Sequence, residues 1–252
     1  MTALELNLEG LRTEVVEPMR SFAAALAEAL GPNLKSLTVV GSSLTADFAP
    51  ARSDINSVVV IEEYRVEVLQ TLAQMGKTMR KKRLAAPVLM TPAYIDRSRD
   101  VFGVEWLDFQ LTHHTILGSD PFAALEFAKG DVRLQCERQF KTLLVRMRQG
   151  YIRSMNRRQW LWELVQGVAH EMGPYLRAML WLADVERPAE VEAAMGRLAE
   201  QVGVSMDAAL EIWRSRGQRT GPDAATVNAL FRRLYGLIEA LAETVDRMEV
   251  GS

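Results

Sequence analysis

An apolar run, Leu37-Thr38-Val39-Val40, stops at Gly41-Ser42-Ser43. After a gap of ten residues come Asp54 and Asn56 at alternating positions, followed by a second apolar run, Val58-Val59-Val60-Ile61. Residues of these types at this spacing can hold a nucleoside triphosphate and a metal ion. One position departs from that pattern: where a second carboxylate would help a cation most, the chain carries the amide of Asn56. An amide oxygen ligates a cation but brings no negative charge, and magnesium sites rely on carboxylates together with substrate phosphates.

The elements that must position these residues follow from periodicity. Leu11, Val15, Met19, Phe22, Leu26 and Leu30 recur at spacings of three and four, which predicts an amphipathic helix over 8–30. Gly31-Pro32-Asn33 stops it, because glycine takes a left-handed cap and proline cannot continue the ladder. Leu34 to Val40 reads as a strand, and Val58 to Ile61 as a β-branched strand buried on both faces. Val68, Leu69, Leu72, Met75 and Met79 predict a helix over 67–82 that ends in Lys77, Arg80, Lys81, Lys82 and Arg83. Cations suit the negative end of a helix dipole, so this basic run reads as capping and a solvated face before phosphate binding. A short strand over 86–90 and a helical turn from Pro92 follow. Phe102 to Leu111 then reads as a strand, with Glu105, Leu107 and Phe109 on one side and Trp106, Asp108 and Gln110 on the other.

From Pro121 onward the pattern is helical. Val132, Cys136, Phe140, Leu143, Met147 and Tyr151 mark a long amphipathic helix whose other faces are rich in arginine. Gln159 to Ala183 supplies one or two helices around Gly173-Pro174, and Arg187-Pro188 starts another that runs to Val202. Ser205 to Asp207 offers an N-cap, and Val227 to Met248 forms the last helix. Trp160, Trp162, Trp181 and Trp213 read as packing residues, and His113-His114 as hydrogen-bonding residues at a strand exit. The expected architecture is an α/β (α+β) domain with a mixed sheet over 1–120 and an all-α helical bundle over 121–252.

Strand, Gly-Ser-Ser, a ten-residue gap, then Asp-hydrophobic-polar-hydrophobic into a second strand resembles the signature of the DNA polymerase β-like nucleotidyltransferase superfamily. The segment from Phe102 to Pro121 is similar to the third-carboxylate strand and exit loop of bacterial nucleotidyltransferase proteins, aminoglycoside nucleotidyltransferases among them, many of which carry a helical domain after the first. The resemblance implies that Gly41, Ser42 and Ser43 bind the nucleotide and that Asp54 is the first metal-binding carboxylate. Asn56 then stands at the second metal position. The third carboxylate falls on Asp108, which follows two apolar residues and precedes another, or on Glu105. Asp54, Asp108 and Glu105 are thus the catalytic candidates, and Asp54, Asn56 and Asp108 the metal set. The implied cofactor is magnesium, weakened by Asn56. The implied activity is nucleotide transfer from a triphosphate to a small-molecule or protein hydroxyl of unidentified nature, impaired by that amide. The alternative is a catalytically inactive nucleotide- or partner-binding regulatory module on the same fold.

Bulk properties agree with this class. At 252 residues, 48% hydrophobic and 25% charged, the chain has an ordinary globular composition, and its net charge of -2 exerts no general pull on nucleic acid or membrane. One cysteine, Cys136, excludes an internal disulfide and a cysteine-built metal site, which suits the cytosol. No apolar stretch reaches the ~20 residues that a bilayer span needs.

Overall fold

The computed structural model describes residues 5–155, 157–218 and 220–250. The chain divides into two compact units: residues up to Arg99 with Asp108–Glu126, and Asp100–Leu107 with Phe127 onward. Helix α1 (Thr13–Leu30) buries Val15, Met19, Phe22, Leu26 and Leu30, the stripe set by its sequence spacing. Gly31 ends it at φ +50°, donating its N–H to the Ala27 carbonyl. Pro32 and Asn33 complete a 3-10 turn that delivers the chain to strand β1 (Leu34–Val40).

Strand β2 (Asn56–Ile61) runs antiparallel to β1, with Val40 opposite Asn56 and Thr38 opposite Val58. Helix α2 (Val66–Lys81) carries the chain to β3 (Val88–Met90), which lies parallel to β2, as a helical crossover requires. After the short α3 (Pro92–Arg97), α4 (Gly103–Leu111) leads into β4 (His113–Gly118), antiparallel to β1. The mixed sheet therefore has the order β3-β2-β1-β4, with β1 and β2 at its centre. Leu37, Val39, Val59, Ile61 and Ile116 face the apolar stripes of α1 and α2 to form the core of this unit.

One expectation is corrected. Residues 103–111 form a helix, not a strand, so Glu105 and Asp108 lie three apart on one helical side rather than on opposite faces of a sheet. The fourth strand begins at His113 instead, so the histidine pair opens a strand rather than leaving one. Nine residues of alternating character fit either period; remote contacts decide. The Gln135 carbonyl oxygen accepts from the Val104 N–H at 3.0 Å, satisfying one of the donors a helix start leaves open, and the Gln135 amide donates to Glu105. Val104 and Leu107 pack with the helical core.

The second unit is a bundle of α5 (Lys129–Ser154), α6 (Arg158–Leu182), α7 (Val191–Val202), α8 (Asp207–Arg214) and α9 (Ala224–Asp246). Helix α6 runs unbroken through Pro174. Phe140, Trp162, Leu176, Leu234 and Leu241 lie in one continuous core, where each large side chain contributes about 1.5–3 kcal/mol by leaving water. Helices α5 and α6 approach closely at Gly150, where a Cβ would stand 2.6 Å from the Leu164 side chain. Trp160 departs from its expected packing role: it is exposed, with the Arg157 guanidinium 4.8 Å over its ring. Cys136 is fully buried, and that burial pushes its thiol up, which keeps it unreactive. Among the described residues no helix is long and apolar enough to cross a membrane.

Two glycines make the packing testable. Gly118 has φ +77°, and a Cβ there would lie 1.9 Å from the Lys35 carbonyl oxygen on the neighbouring strand. Gly118→Ala should cost about 3 kcal/mol or more, through backbone strain and a broken β1–β4 pairing. Gly167, mid-helix in α6 with nothing within 4 Å of its would-be Cβ, should gain roughly 0.5–1 kcal/mol as Gly167→Ala. Urea unfolding of the two variants checks both signs.

Candidate functional site

The antiparallel pairing of β1 with β2 brings the first motif together. Val40 opposite Asn56 sets the Gly41 turn beside the start of β2, and the Asn56 amide nitrogen lies 3.9 Å from where a Gly41 Cβ would stand. Gly41 takes φ +77°, a region that favours glycine, and its N–H donates to the Thr112 carbonyl at 2.9 Å. Thr45 closes the other side. Its N–H and hydroxyl both donate to the Ser42 carbonyl, at 3.0 and 3.2 Å, while its hydroxyl accepts from the Asp47 N–H. Arg12 donates to the Thr45 carbonyl at 2.9 Å and ties this loop to the start of α1. The turn is thus held by main-chain bonds on both flanks. Gly41 and Ser42 are half-buried, whereas Ser43 is buried and its Oγ has no partner among the described residues.

The acidic positions are arranged differently from a metal centre. Asp54 and Asn56 are both exposed, separated by the single buried residue Ile55. Arg83 reaches back to Asp54, its Nη1 3.7 Å from Oδ1, and another guanidinium nitrogen donates to the Ala51 carbonyl. The pair is too exposed, 42% and 59%, to add more than a few tenths of a kcal/mol to stability, so its meaning lies in where it puts charge. Glu105 is engaged by Gln135. Asp108 accepts at its main-chain oxygen from the N–H and hydroxyl of Thr112, the residue that anchors Gly41, so its backbone lies one helical turn from that anchor. Strands β3, Val88-Leu89-Met90, and β4, His113 to Gly118, contain no carboxylate.

Magnesium, the ion such a fold implies, needs near-octahedral oxygen donors led by carboxylates. Here the motif offers one carboxylate already facing a guanidinium and one amide. Among the described residues no three His, Cys, Asp or Glu side chains are grouped to hold a metal ion. The donor set does not fit a two-metal centre.

The remaining polar candidates support the fold. Both ring nitrogens of His113 face oxygen atoms: Nδ1 the carbonyls of Phe109 and Gln110 at 2.9 and 3.2 Å, and Nε2 the Asp120 carboxylate at 2.8 Å. Asp120 also caps the following turn, accepting from the N–H groups of Phe122 and Ala123. His114 bonds the Asn7 carbonyl at 3.1 Å. Three arginines of α5 are used by the bundle itself: Arg146 forks onto Glu171, Arg133 meets Glu137, and Arg148 donates to the Tyr235 hydroxyl. Sequence reasoning missed Thr112 and Thr45 as the clamps of the turn. A threonine two residues beyond Ser43 is a legible turn signal; Thr112 had none. Arg83 was visible as part of a basic run, but its partner 29 residues earlier was not.

No family model matches the chain, and no curated protein sequence matches it. Among solved structures it is similar to a spectinomycin adenyltransferase from Enterococcus faecialis, crystallised with ATP and spectinomycin. The TM-score is 0.56 at 13% sequence identity, over 88% of this chain and 98% of that one. The chain shares the fold of that structure: an α/β unit with a mixed sheet, followed by a helical unit. At this identity the likeness speaks for the fold and not for the chemistry carried on it.

Asp120 makes the β4 exit testable by pH. Burial raises its carboxyl, but hydrogen bonds from Phe122 N–H, His113 and Ala123 N–H outweigh burial and hold it below its ordinary range. A carboxyl depressed by folding adds stability that is complete above its unfolded value near pH 4 and is lost as pH falls through the lower folded value. Asp120→Asn should therefore cost about 1–3 kcal/mol at neutral pH. The gap to wild type should shrink as unfolding is measured at pH values below about 4.

Proposed function

We propose that this chain is a nucleotide-binding module on a nucleotidyltransferase fold, in which metal-assisted transfer is impaired or lost and binding is the function that remains. One observation carries the reading: the donor set at the β1–β2 end. Asp54 faces Arg83, Asn56 is neutral, and neither β3 nor β4 supplies a third carboxylate. The retained turn Gly41-Ser42-Ser43, open at Gly41 and Ser42, is the part that would receive phosphate oxygens. The structurally similar adenyltransferase was crystallised with ATP, which supports a nucleotide as the ligand class. A free, buried cysteine suits the reducing cytosol, where such ligands are held.

In this reading Gly41 permits close approach of a ligand to the main chain, because it has no Cβ and its φ is fixed by the Thr112 bond. Ser42 lends a hydroxyl at the surface of the turn. Asn56, beside Gly41, can donate or accept a neutral hydrogen bond where a carboxylate would repel phosphate.

A second reading keeps turnover: transfer of a nucleotide to a small-molecule or protein hydroxyl. Asp108 favours it, because its backbone lies one helical turn from the anchor of Gly41. Product analysis separates the two. The chain incubated with ATP, GTP, CTP or UTP and magnesium or manganese should bind at least one nucleotide by calorimetry and release no pyrophosphate above background. Wild-type turnover that disappears in Asp54→Ala would overturn the reading in favour of the enzyme.

A further inference from the structure

We infer that the outer face of α5 and the turn joining it to α6 form a docking surface for an anionic lipid membrane. The chain would rest on the bilayer surface through arginines and the protruding side chains of Ile152, Met155 and Trp160. The inference is independent of the nucleotide-binding reading.

Residues 138–162 contain seven lysines and arginines and no aspartate or glutamate, in a chain whose net charge is -2. The bundle neutralises two of the seven: Lys141 pairs with Glu137, and Arg146 with Glu171. The other five keep their charge. Arg148 meets the Tyr235 hydroxyl, Arg158 the carbonyls of Gly221 and Pro222, and Arg157 the ring of Trp160, all neutral partners. Arg138 and Arg153 are exposed, and no carboxylate among the described residues pairs with either. Two acids lie close by in the fold or the sequence. Glu163 accepts from the Gln159 amide at 3.0 Å, and Asp223 caps α9 on Thr226. Five arginines against two acids leave this part of the bundle positive.

The charges flank apolar side chains that the core leaves out. Ile152 and Met155 are 76% and 62% exposed, the highest values among the large apolar residues described, and Trp160 is 47% exposed. Val145 and Ile152 stand about two helical turns apart on one line of α5, with Arg138, Lys141 and Arg148 beside it. Met155 takes φ +47°, at a helix end where glycine is the usual residue. A large apolar side chain there strains the backbone and gains little from the core.

Shape and chemistry together select the partner. Helices α5 and α6 run antiparallel, Gly150 against Leu164 and Arg146 against Glu171, so residues 152–160 form the tip of a helical hairpin. A bilayer surface receives protruding apolar side chains without a matching recess, and its anionic headgroups complement the arginines. A nucleic acid would take the charges but gains nothing from Ile152 and Met155. Trp160, which could stack on a base, has the Arg157 guanidinium over its ring.

Sedimentation of the full chain with vesicles of phosphatidylcholine alone, and of phosphatidylcholine mixed with phosphatidylglycerol, tests this. The chain should pellet with the anionic vesicles only, and less so as salt rises. Arg153→Gln and Arg157→Gln should each lower the partition coefficient about fivefold. Met155→Gly removes the side chain where the backbone favours glycine, so it should bind the vesicles more weakly while unfolding at no lower urea concentration. No pelleting with anionic vesicles, equal pelleting with both kinds, or unchanged pelleting of the arginine variants overturns the inference. Binding of a single-stranded oligonucleotide that Arg153→Gln weakens, without vesicle binding, overturns it and assigns the surface to nucleic acid.

Discussion

The antiparallel register of β1 and β2 is the constraint on which the site depends. Side chains alternate along a strand, so a slip of one residue would turn Asn56 into the core and bring Ser57 to the Gly41 turn. The register is held by what lies behind it: Leu37, Val39, Val59 and Ile61 must all face α1 and α2 to be buried. In the register observed, Val40 stands opposite Asn56, and the turn and the amide are neighbours. The apolar side of the sheet thus decides the chemistry of its polar end.

Given that placement, the residue types decide what the end of the sheet can do. A two-metal mechanism stabilises the attacking and leaving oxygens with ions whose mutual repulsion is absorbed by shared carboxylates. Here one such position is neutral and the remaining acid faces a guanidinium. On the proposed reading, the turn is the part that would receive phosphate, and this donor set is the reason magnesium would be held weakly there. Fold and activity separate at these few side chains, which is why a structural likeness at 13% identity leaves the reaction open.

Much of the fold was legible because its signals are local. The strand Leu34–Val40 and the apolar part of β2 follow from β-branched runs, α1 and α2 from their stripes, and the α1 stop from Gly31-Pro32. Residues 103–111 were not legible: a nine-residue stretch fits both periods, and its helical state rests on Gln135, about thirty residues away in sequence. That misreading had a chemical consequence, because it placed Glu105 and Asp108 as rivals on opposite faces of a strand that does not exist. Of the candidate site, the nearness of the Gly41 turn to Asn56 was legible, because both lie within one short stretch. Arg83 was legible only as a charge in a basic run, since its significance comes from Ile55 and Asp54 across a loop and a helix.

The proposal that the residues at this end of the sheet do not fit a two-metal centre is tested most directly by counting ions. Manganese(II) titrated into the chain in the presence of ATP, with free ion read by electron paramagnetic resonance, should show only the uptake that ATP itself accounts for, unchanged by Asp54→Ala. Saturable uptake of two further ions per chain, abolished by Asp54→Ala, would contradict the account.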